Sequence, residues 1–276
     1  MVKKSLASFF EEFLYKESLF VDRSILSSSY APQTIYHRDK EINKIANILA
    51  PALKQEKPSN LFIYGNTGTG KTLTVKHVID NMGEVSRNKN IPLKIIYTNC
   101  KLKRVADTEY RLISQLASFF GKTLPPTGLP TDEIYKAFYS AVEKDKSGVL
   151  IVLDEIDQLI KKTGDGVFYN LTRINEELKN SQITIVGISN NTTFIENIDP
   201  RVKSSLSEES ILFAPYNALE MQKILKERTS KAFKENVVEQ GVIEKCAAYA
   251  AREHGDARKV IELLRVAGEI AERTKS

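Results

Sequence analysis

The chain has 276 residues, 42% of them hydrophobic and 27% charged, so it can bury a large core and has room for one α/β domain with a smaller appendage. Forty Lys and Arg against 35 Asp and Glu give a formal net charge of +5, a balance that permits an acidic partner without demanding one. No stretch approaches the roughly 18 apolar residues of a membrane span, and Glu11, Glu12 and Glu17 interrupt the apolar N-terminal residues that a signal peptide would need, so a soluble, cytoplasmic protein with no membrane partner is expected.

In chain order, residues 5–20 set Phe9, Phe10, Phe13 and Leu14 at helical spacing with acids between them, which predicts an amphipathic helix packed on the main body. Its acidic face would be repelled by anionic lipid. Tyr30-Ala31-Pro32 and then Tyr36-His37-Arg38 precede a helical pattern at Ile42, Ile45, Ala46 and Leu49, and Pro32 favours an extended segment there. Such a strip fits against a nucleotide base through its backbone groups, and fits equally as an ordinary loop packed on a sheet.

The apolar run Leu61–Tyr64 predicts a strand, and the residues after it fill every fixed position of the phosphate-loop pattern G-x-x-x-x-G-K-[ST]: Gly65, Asn66, Thr67, Gly68, Thr69, Gly70, Lys71 and Thr72. From Leu73 the apolar spacing is helical. The glycines let successive backbone N–H groups face one point, and the helix adds its positive end there, so the stretch from Asn66 to Leu73 is expected to cradle a polyphosphate. Lys71 would reach the β- and γ-phosphates, and the Thr72 hydroxyl would hold a Mg²⁺ brought by the nucleotide.

Further strands are predicted at Leu93–Thr98, Val149–Leu153, Ile183–Ile188 and Ile211–Phe213, with helical patterns between most of them, the alternation of a parallel sheet covered on both faces. Ligands of such sheets gather at the carboxyl ends of the strands, where Asp154-Glu155 and Asn190-Asn191 also fall. From Ala218 strands cease. Helical patterns at 218–234, 242–254 and 257–273, with Gly255 as a stop and Asp256 as an N-cap, predict a small all-helical domain. Cys100 and Cys246 have no CxxC spacing and are expected to be reduced core thiols, while His37, His77 and His254 lack metal-ligand spacing.

At the strand ends, Asp154 suits an outer-sphere or direct hold on the Mg²⁺ that Thr72 contacts, and Glu155 suits a base for the water that attacks the γ-phosphate. A strand that simply ends in solvent would carry the same acids. Asn190, with Asn191 as the alternative, offers an amide to that water or to the phosphate. Arg201 lies in a turn-like segment, Asp199–Lys203, before the fifth strand and has the chemistry of an arginine finger, though an ordinary solvated arginine would sit there too. Arg258 is in the first turn of the last helix, where the helix dipole disfavours a cation. A bound phosphate would remove that objection, and so would a nearby acid such as Asp256.

GNTGTGKT, LIVLDEID, a strand ending ISNN, DPRVKSSL and GDAR, in that order, resemble the AAA+ ATPases and, within them, the archaeal origin-recognition and Cdc-type DNA replication initiators. The resemblance runs from about Tyr30 to the end. It implies a phosphate-loop α/β domain with a five-stranded parallel sheet between helices at 30–215, a helical lid at 216–276, and an N-terminal extension at 1–29. It also implies ATP or ADP with Mg²⁺ as cofactors, Lys71 and Thr72 as Walker A, Asp154 and Glu155 as Walker B, Asn190 as sensor 1 and Arg258 as sensor 2. Arg201 falls in the region that faces a neighbour's nucleotide, and Tyr216 and Arg228 match positions lining the nucleotide pocket. Initiators of this kind carry an insertion after the second strand that touches duplex DNA, here residues 101–131 with Lys101, Lys103, Arg104, Lys122, Thr127, Gly128 and Leu129. The same cluster also fits a solvated charge patch beside a loop. A C-terminal winged-helix domain, normal in the family, is expected to lie outside this chain, which stops at Ser276 after the lid. The function implied is a slowly hydrolysing ATP/ADP switch that binds double-stranded origin DNA. It would work in the cytoplasm on the nucleoid with another AAA+ subunit and a replicative helicase. A clamp-loader- or helicase-loader-like ATPase, or a non-hydrolysing nucleotide-binding module, are the alternatives.

Overall fold

The computed structural model of the chain describes residues 6–15, 17–28, 30–101, 108–125, 128–193, 196, 198–206, 208–239, 241–253 and 255–274. Along them run α1 (Leu6–Tyr15), α2 (Asp39–Leu49), β1 (Leu61–Gly65), α3 (Lys71–Asn88), β2 (Leu93–Asn99), α4 (Glu109–Ser118), α5 (Thr131–Asp145), β3 (Gly148–Asp154), α6 (Ile156–Thr163), α7 (Gly166–Glu177), β4 (Gln182–Ser189), α8 (Pro200–Leu206), β5 (Glu209–Phe213), α9 (Ala218–Ala232), α10 (Val242–Glu253) and α11 (Ala257–Thr274). They divide into two compact units: His37–Pro215, and the described residues of Met1–Tyr36 together with those of Tyr216–Ser276. The first boundary therefore falls after Tyr36 and not after residue 29, and the N-terminal segment shares a unit with the lid helices.

In the α/β unit, the strands expected from the sequence pair as a five-stranded parallel sheet in the order β2-β3-β4-β1-β5. β3 and β4 are buried on both faces almost throughout, as continuous Val, Ile and Leu runs in a covered parallel sheet should be. One face packs α4, α5, α6 and α7 around Phe62, Phe138, Phe168 and Leu171. The other face packs α2 and α3 around Ile45, Leu49, Val75 and Ile79. The register aligns Asn99 with Asp154, Asp154 with Ile188, Tyr64 with Ser189 and Gly65 with Phe213, so the carboxyl ends of the strands form one polar edge. Gly65 is required at this edge, because a Cβ there would come within 2.5 Å of the Phe213 carbonyl oxygen.

Residues 199–203, expected as a turn, open α8 instead. Pro200 supplies a helical φ at the first position, and the Asp199 carboxylate accepts the Arg201 backbone N–H at 2.8 Å.

The helical unit is built on α9, α10 and α11. Asn217 and Glu220 form a reciprocal capping box that fixes the start of α9, and Gly255 (φ 66°) ends α10 ahead of the Asp256 cap, as the sequence predicts. The segment Leu19–Leu26 packs on these helices. Phe20 bridges Phe233 antiparallel, and their rings lie 4.6 Å apart over Gly268, where a Cβ would meet both rings at 2.7 Å. α1 forms as the spacing predicts, and Leu6, Leu14 and Tyr15 on it are exposed.

Candidate functional site

The phosphate loop joins β1 to α3. Gly68 (φ 74°) and Gly70 (φ 91°) take left-handed conformations that L side chains disfavour, and Gly70 is the N-cap residue of α3. Asn66 and Thr67 are exposed on the loop, whereas Thr69 is buried and its hydroxyl donates to the Asn66 carbonyl at 2.8 Å. Lys71 is only 4% exposed, and its ammonium donates to the carbonyls of Gly65 at 2.9 Å and Asn66 at 2.8 Å. A cation is thus folded back over a glycine loop at the N-terminus of a helix, where the dipole favours an anion. Leu73, half-buried, is in the first turn of α3.

Across the sheet edge, the Thr72 hydroxyl donates to Asp154 Oδ2 at 2.8 Å. Tyr97 on β2 donates to the same oxygen at 2.6 Å, and Asp154 Oδ1 accepts the Glu155 backbone N–H at 2.9 Å. Three donors from three elements therefore hold one buried carboxylate. Burial, and then donation to Asp154, raise the Tyr97 pKa, so its phenol remains a donor. Glu155 has left-handed backbone (φ 56°) at the junction of β3 and α6. Its carboxylate accepts from Asn99 Nδ2 at 3.3 Å and lies 3.7 Å from the Lys101 ammonium. Lys101, expected on a DNA-facing insertion, is thus placed beside Glu155.

At the end of β4, Ser189 Oγ and the Asn190 backbone N–H both donate to Asp157 Oδ1, at 3.2 and 3.4 Å. The Asn191 side chain accepts from Thr193 in the following turn, while the Asn190 side chain makes no hydrogen bond among the described residues. That leaves Asn190 as the free amide of the pair. Arg38, expected on a base-facing strip, is 4% exposed and acts on the loop: its Nε donates to the Thr69 carbonyl at 3.0 Å, Nη2 to the Ala214 carbonyl at 2.6 Å, and Nη1 pairs with Glu41 at 3.1 Å. His37 beside it has φ 59°. Arg201 is exposed, bonds Asp199 through Nε and Nη2 at 3.1 and 2.9 Å, and lies over the Tyr169 ring. That bonding holds the Asp199 carboxyl down at about 2.

In the helical unit, Arg228 is 6% exposed and donates to the carbonyls of Ile25 at 2.8 Å and Tyr30 at 3.4 Å, with its guanidinium over the Tyr30 ring. Burial lowers its pKa. Ala31 is exposed, Pro32 half-buried, and Tyr216 buried among Met221 and Leu225 in the core of this unit. Asp256 caps α11 by accepting the Arg258 and Lys259 backbone N–H groups, and the exposed Arg258 forms no ion pair among the described residues.

Of the residues expected to meet DNA, Lys103, Arg104 and Thr127 lie outside the described residues. Lys122 and Gly128 (φ 105°) are exposed, and Leu129 packs partly on the core beneath α4 and α5. Tyr97, Asn99, Asp157 and the loop-holding role of Arg38 were missed from the sequence. Tyr97 and Asn99 share a face of β2 two residues apart, a pattern that has meaning only once β2 is known to pair with β3.

A family model described as the AAA domain matches residues 54–192, and one described as the Cdc6 AAA+ ATPase-type lid domain matches residues 222–276. An ORC1-type DNA replication protein of Pyrococcus abyssi is 49% identical over 272 residues, 97% of this chain and 64% of its own length. The ORC1-type DNA replication protein 1 of Methanosarcina mazei is 47% identical over 274 residues, 99% of this chain and 65% of its own length. The Aeropyrum pernix ORC1 protein, solved in complex with DNA, superposes with a TM-score of 0.84 at 42% identity over 95% of this chain and 67% of that one. The Aeropyrum pernix ORC2 protein shares the fold, with a TM-score of 0.77 at 24% identity over 93% of this chain and 68% of that one. The chain spans 64–65% of the length of these curated relatives. From the glycine loop facing paired strand-end acids to the lid that follows the sheet, the chain belongs to the AAA+ ATPases, in the group that contains the archaeal ORC1-type DNA replication proteins.

Proposed function

We propose that the chain is the ATP-binding and ATP-hydrolysing portion of a DNA replication initiator, a switch between ATP and ADP states that binds double-stranded origin DNA. The observation that carries the nucleotide half is the shared carboxylate. Thr72 of the loop and Tyr97 of β2 meet on Asp154 Oδ2, with Glu155 next in the chain. Hydroxyl and carboxylate 2.8 Å apart are hard oxygen donors of the kind Mg²⁺ takes, so the pair fits a metal that arrives on a nucleotide. When bound, Mg²⁺ supplies neutralisation of phosphate charge. Because Asp154 already accepts at both oxygens, it suits an outer-sphere role, ordering water and the Thr72 hydroxyl.

In this reading Lys71 exchanges its two loop carbonyls for phosphate oxygens, and the loop backbone from Asn66 to Thr72 orients the chain of phosphates. Glu155 takes the proton of the attacking water, and Asn190 positions that water. Arg38 holds the loop in shape through Thr69. Arg201, exposed and near no nucleotide loop of its own by sequence, serves a second AAA+ subunit, and Arg258 reports on the γ-phosphate. The strip Tyr30–Pro32, with Tyr216 and Arg228, belongs to the base pocket, Arg228 acting through the backbone it holds. Slow turnover, a cytoplasmic place on the nucleoid, and contact with a replicative helicase complete the proposal. The Aeropyrum pernix ORC1 complex with DNA, 42% identical, supports DNA as the partner.

Glu155→Gln separates binding from chemistry. ATP affinity should stay within about twofold of wild type, while single-turnover hydrolysis falls about 10²–10⁴-fold, the usual contribution of a general base. Hydrolysis at the wild-type rate would remove Glu155 from that role.

A further inference from the structure

We propose that Tyr97 is a positioning residue for the Mg²⁺ that accompanies the nucleotide: braced by Lys76, its phenol fixes the orientation of Asp154 and so sets metal affinity without itself touching metal or nucleotide. The inference rests on the reading of the chain as a nucleotide-binding ATPase and adds to it a residue that no motif marks. Leu93, Ile95 and Tyr97 alternate onto the face of the sheet that packs α2 and α3, as residues two apart on a strand do. The register partner of Tyr97 on β3 is Val152. The phenol therefore reaches past Val152 to Asp154, two residues on and on the same face, and donates to Oδ2 at 2.6 Å.

Packing alone does not call for that hydroxyl. A phenylalanine at 97 would complete the apolar row that Leu93 and Ile95 begin, with no polar group to desolvate. What the hydroxyl adds is order at the carboxylate. Three neutral donors, the Thr72 hydroxyl, the Tyr97 phenol and the Glu155 backbone N–H, fill three of the roughly four acceptor positions of Asp154. They orient the carboxylate and leave its charge intact, whereas a Lys or Arg in place of the phenol would cancel the charge that a cation needs. Without the phenol, Oδ2 keeps Thr72 alone and the carboxylate is freer to turn. α3 engages the same tyrosine: Lys76, four residues after Thr72 and so on the same helix face, holds its ammonium 4.2 Å from the Tyr97 ring centroid. The helix that follows the phosphate loop thus meets Asp154 twice, directly through Thr72 and indirectly through Lys76 and Tyr97.

The test is ADP binding to the full chain by isothermal titration, in EDTA and at a series of free Mg²⁺ concentrations, which reads the metal apart from hydrolysis. Tyr97→Phe should leave the affinity in EDTA within about twofold of wild type. It should raise the Mg²⁺ concentration that gives half of the metal-dependent gain by about tenfold, the lower end of what loss of an outer partner costs a metal site. Tyr135→Phe is the control. It removes a phenol that donates to Glu109 at 2.7 Å in the core on the opposite face of the sheet, and it should lower Tm comparably while leaving the Mg²⁺ midpoint unchanged. Lys76→Met should raise the midpoint about two- to fivefold, the worth of one exposed cation–π contact, and add nothing on the Tyr97→Phe background. Equal effects of Lys76→Met on both backgrounds overturn the brace. A midpoint that Tyr97→Phe leaves unchanged or lowers, or that Tyr135→Phe raises equally, overturns the proposal, while Mg²⁺-dependent ADP binding by the wild type keeps the nucleotide reading. Affinity already lost in EDTA would assign Tyr97 to the shape of the phosphate loop and also overturn it, as would wild-type affinity indifferent to Mg²⁺. A wild-type chain that binds no ADP overturns both.

Discussion

The α/β unit and the helical unit treat their expected site residues in opposite ways. In the α/β unit these side chains bond mainly to one another or to the loop they serve: Thr72 to Asp154, Asn99 to Glu155, Arg38 to the Thr69 carbonyl. In the helical unit the buried ones bond to the unit's own backbone and core. Arg228 holds Ile25 and Tyr30, and Tyr216 packs on Met221. Glu272 on α11, which no motif marks, likewise accepts from the Leu19 backbone N–H and from Arg23. A motif position can therefore be filled for two reasons. It can touch the ligand, or it can hold the segment that does, and only hydrogen-bond partners separate the two.

The largest expected effect falls on the α/β side. Lys71→Ala should lower ATP affinity by about 100-fold or more, because two charge-assisted hydrogen bonds of about 1.5–3 kcal/mol each are lost, and isothermal titration would read it. Near-wild-type affinity would mean that the loop backbone alone binds the phosphates.

On the helical side, Arg228→Ala should destabilise the unit by about 2–4 kcal/mol, since the buried Ile25 carbonyl and the part-buried Tyr30 carbonyl lose their donor, and the fall in Tm should appear without nucleotide. An unchanged Tm with lost ATP affinity would return Arg228 to direct contact and break the contrast drawn above.

A smaller effect concerns pH. Burial raises the Glu272 pKa, but hydrogen bonds from Ser18, the Leu19 N–H and Arg23 outweigh it and leave the group below its ordinary value. A lowered folded-state pKa adds stability above the unfolded value near 4.5, and that gain is lost as pH falls through the folded value. Proteolysis within residues 17–28 should therefore accelerate below that range, and Glu272→Gln should flatten the pH dependence while lowering Tm less than Arg228→Ala. A pH profile unchanged by the substitution would free the segment from this contact.

Much of the α/β unit was legible because its signals are local. The run of apolar residues in β3 and β4, the glycines that must turn at 65–70, and the acids directly after β3 are all set by neighbours in sequence, and each appears where the spacing placed it. Gly255 and Asp256 were legible for the same reason. What spacing misjudged had mixed signals. Asp199-Pro200 reads as a turn until Pro200 is seen to begin a helix.

By itself the sequence determined the phosphate loop, the five strands, the strand-end acids and the three lid helices, because period, glycine conformation and capping are properties of residues a few positions apart. Only the tertiary structure decided that β2 lies beside β3, which brings Tyr97 to Asp154 and Asn99 to Glu155. It also decided that Arg38 clamps the loop from 31 residues away and that Arg228 grips a segment about 200 residues earlier. Strand order and helix docking are fixed by burial of whole faces, a sum over the chain that no local pattern encodes.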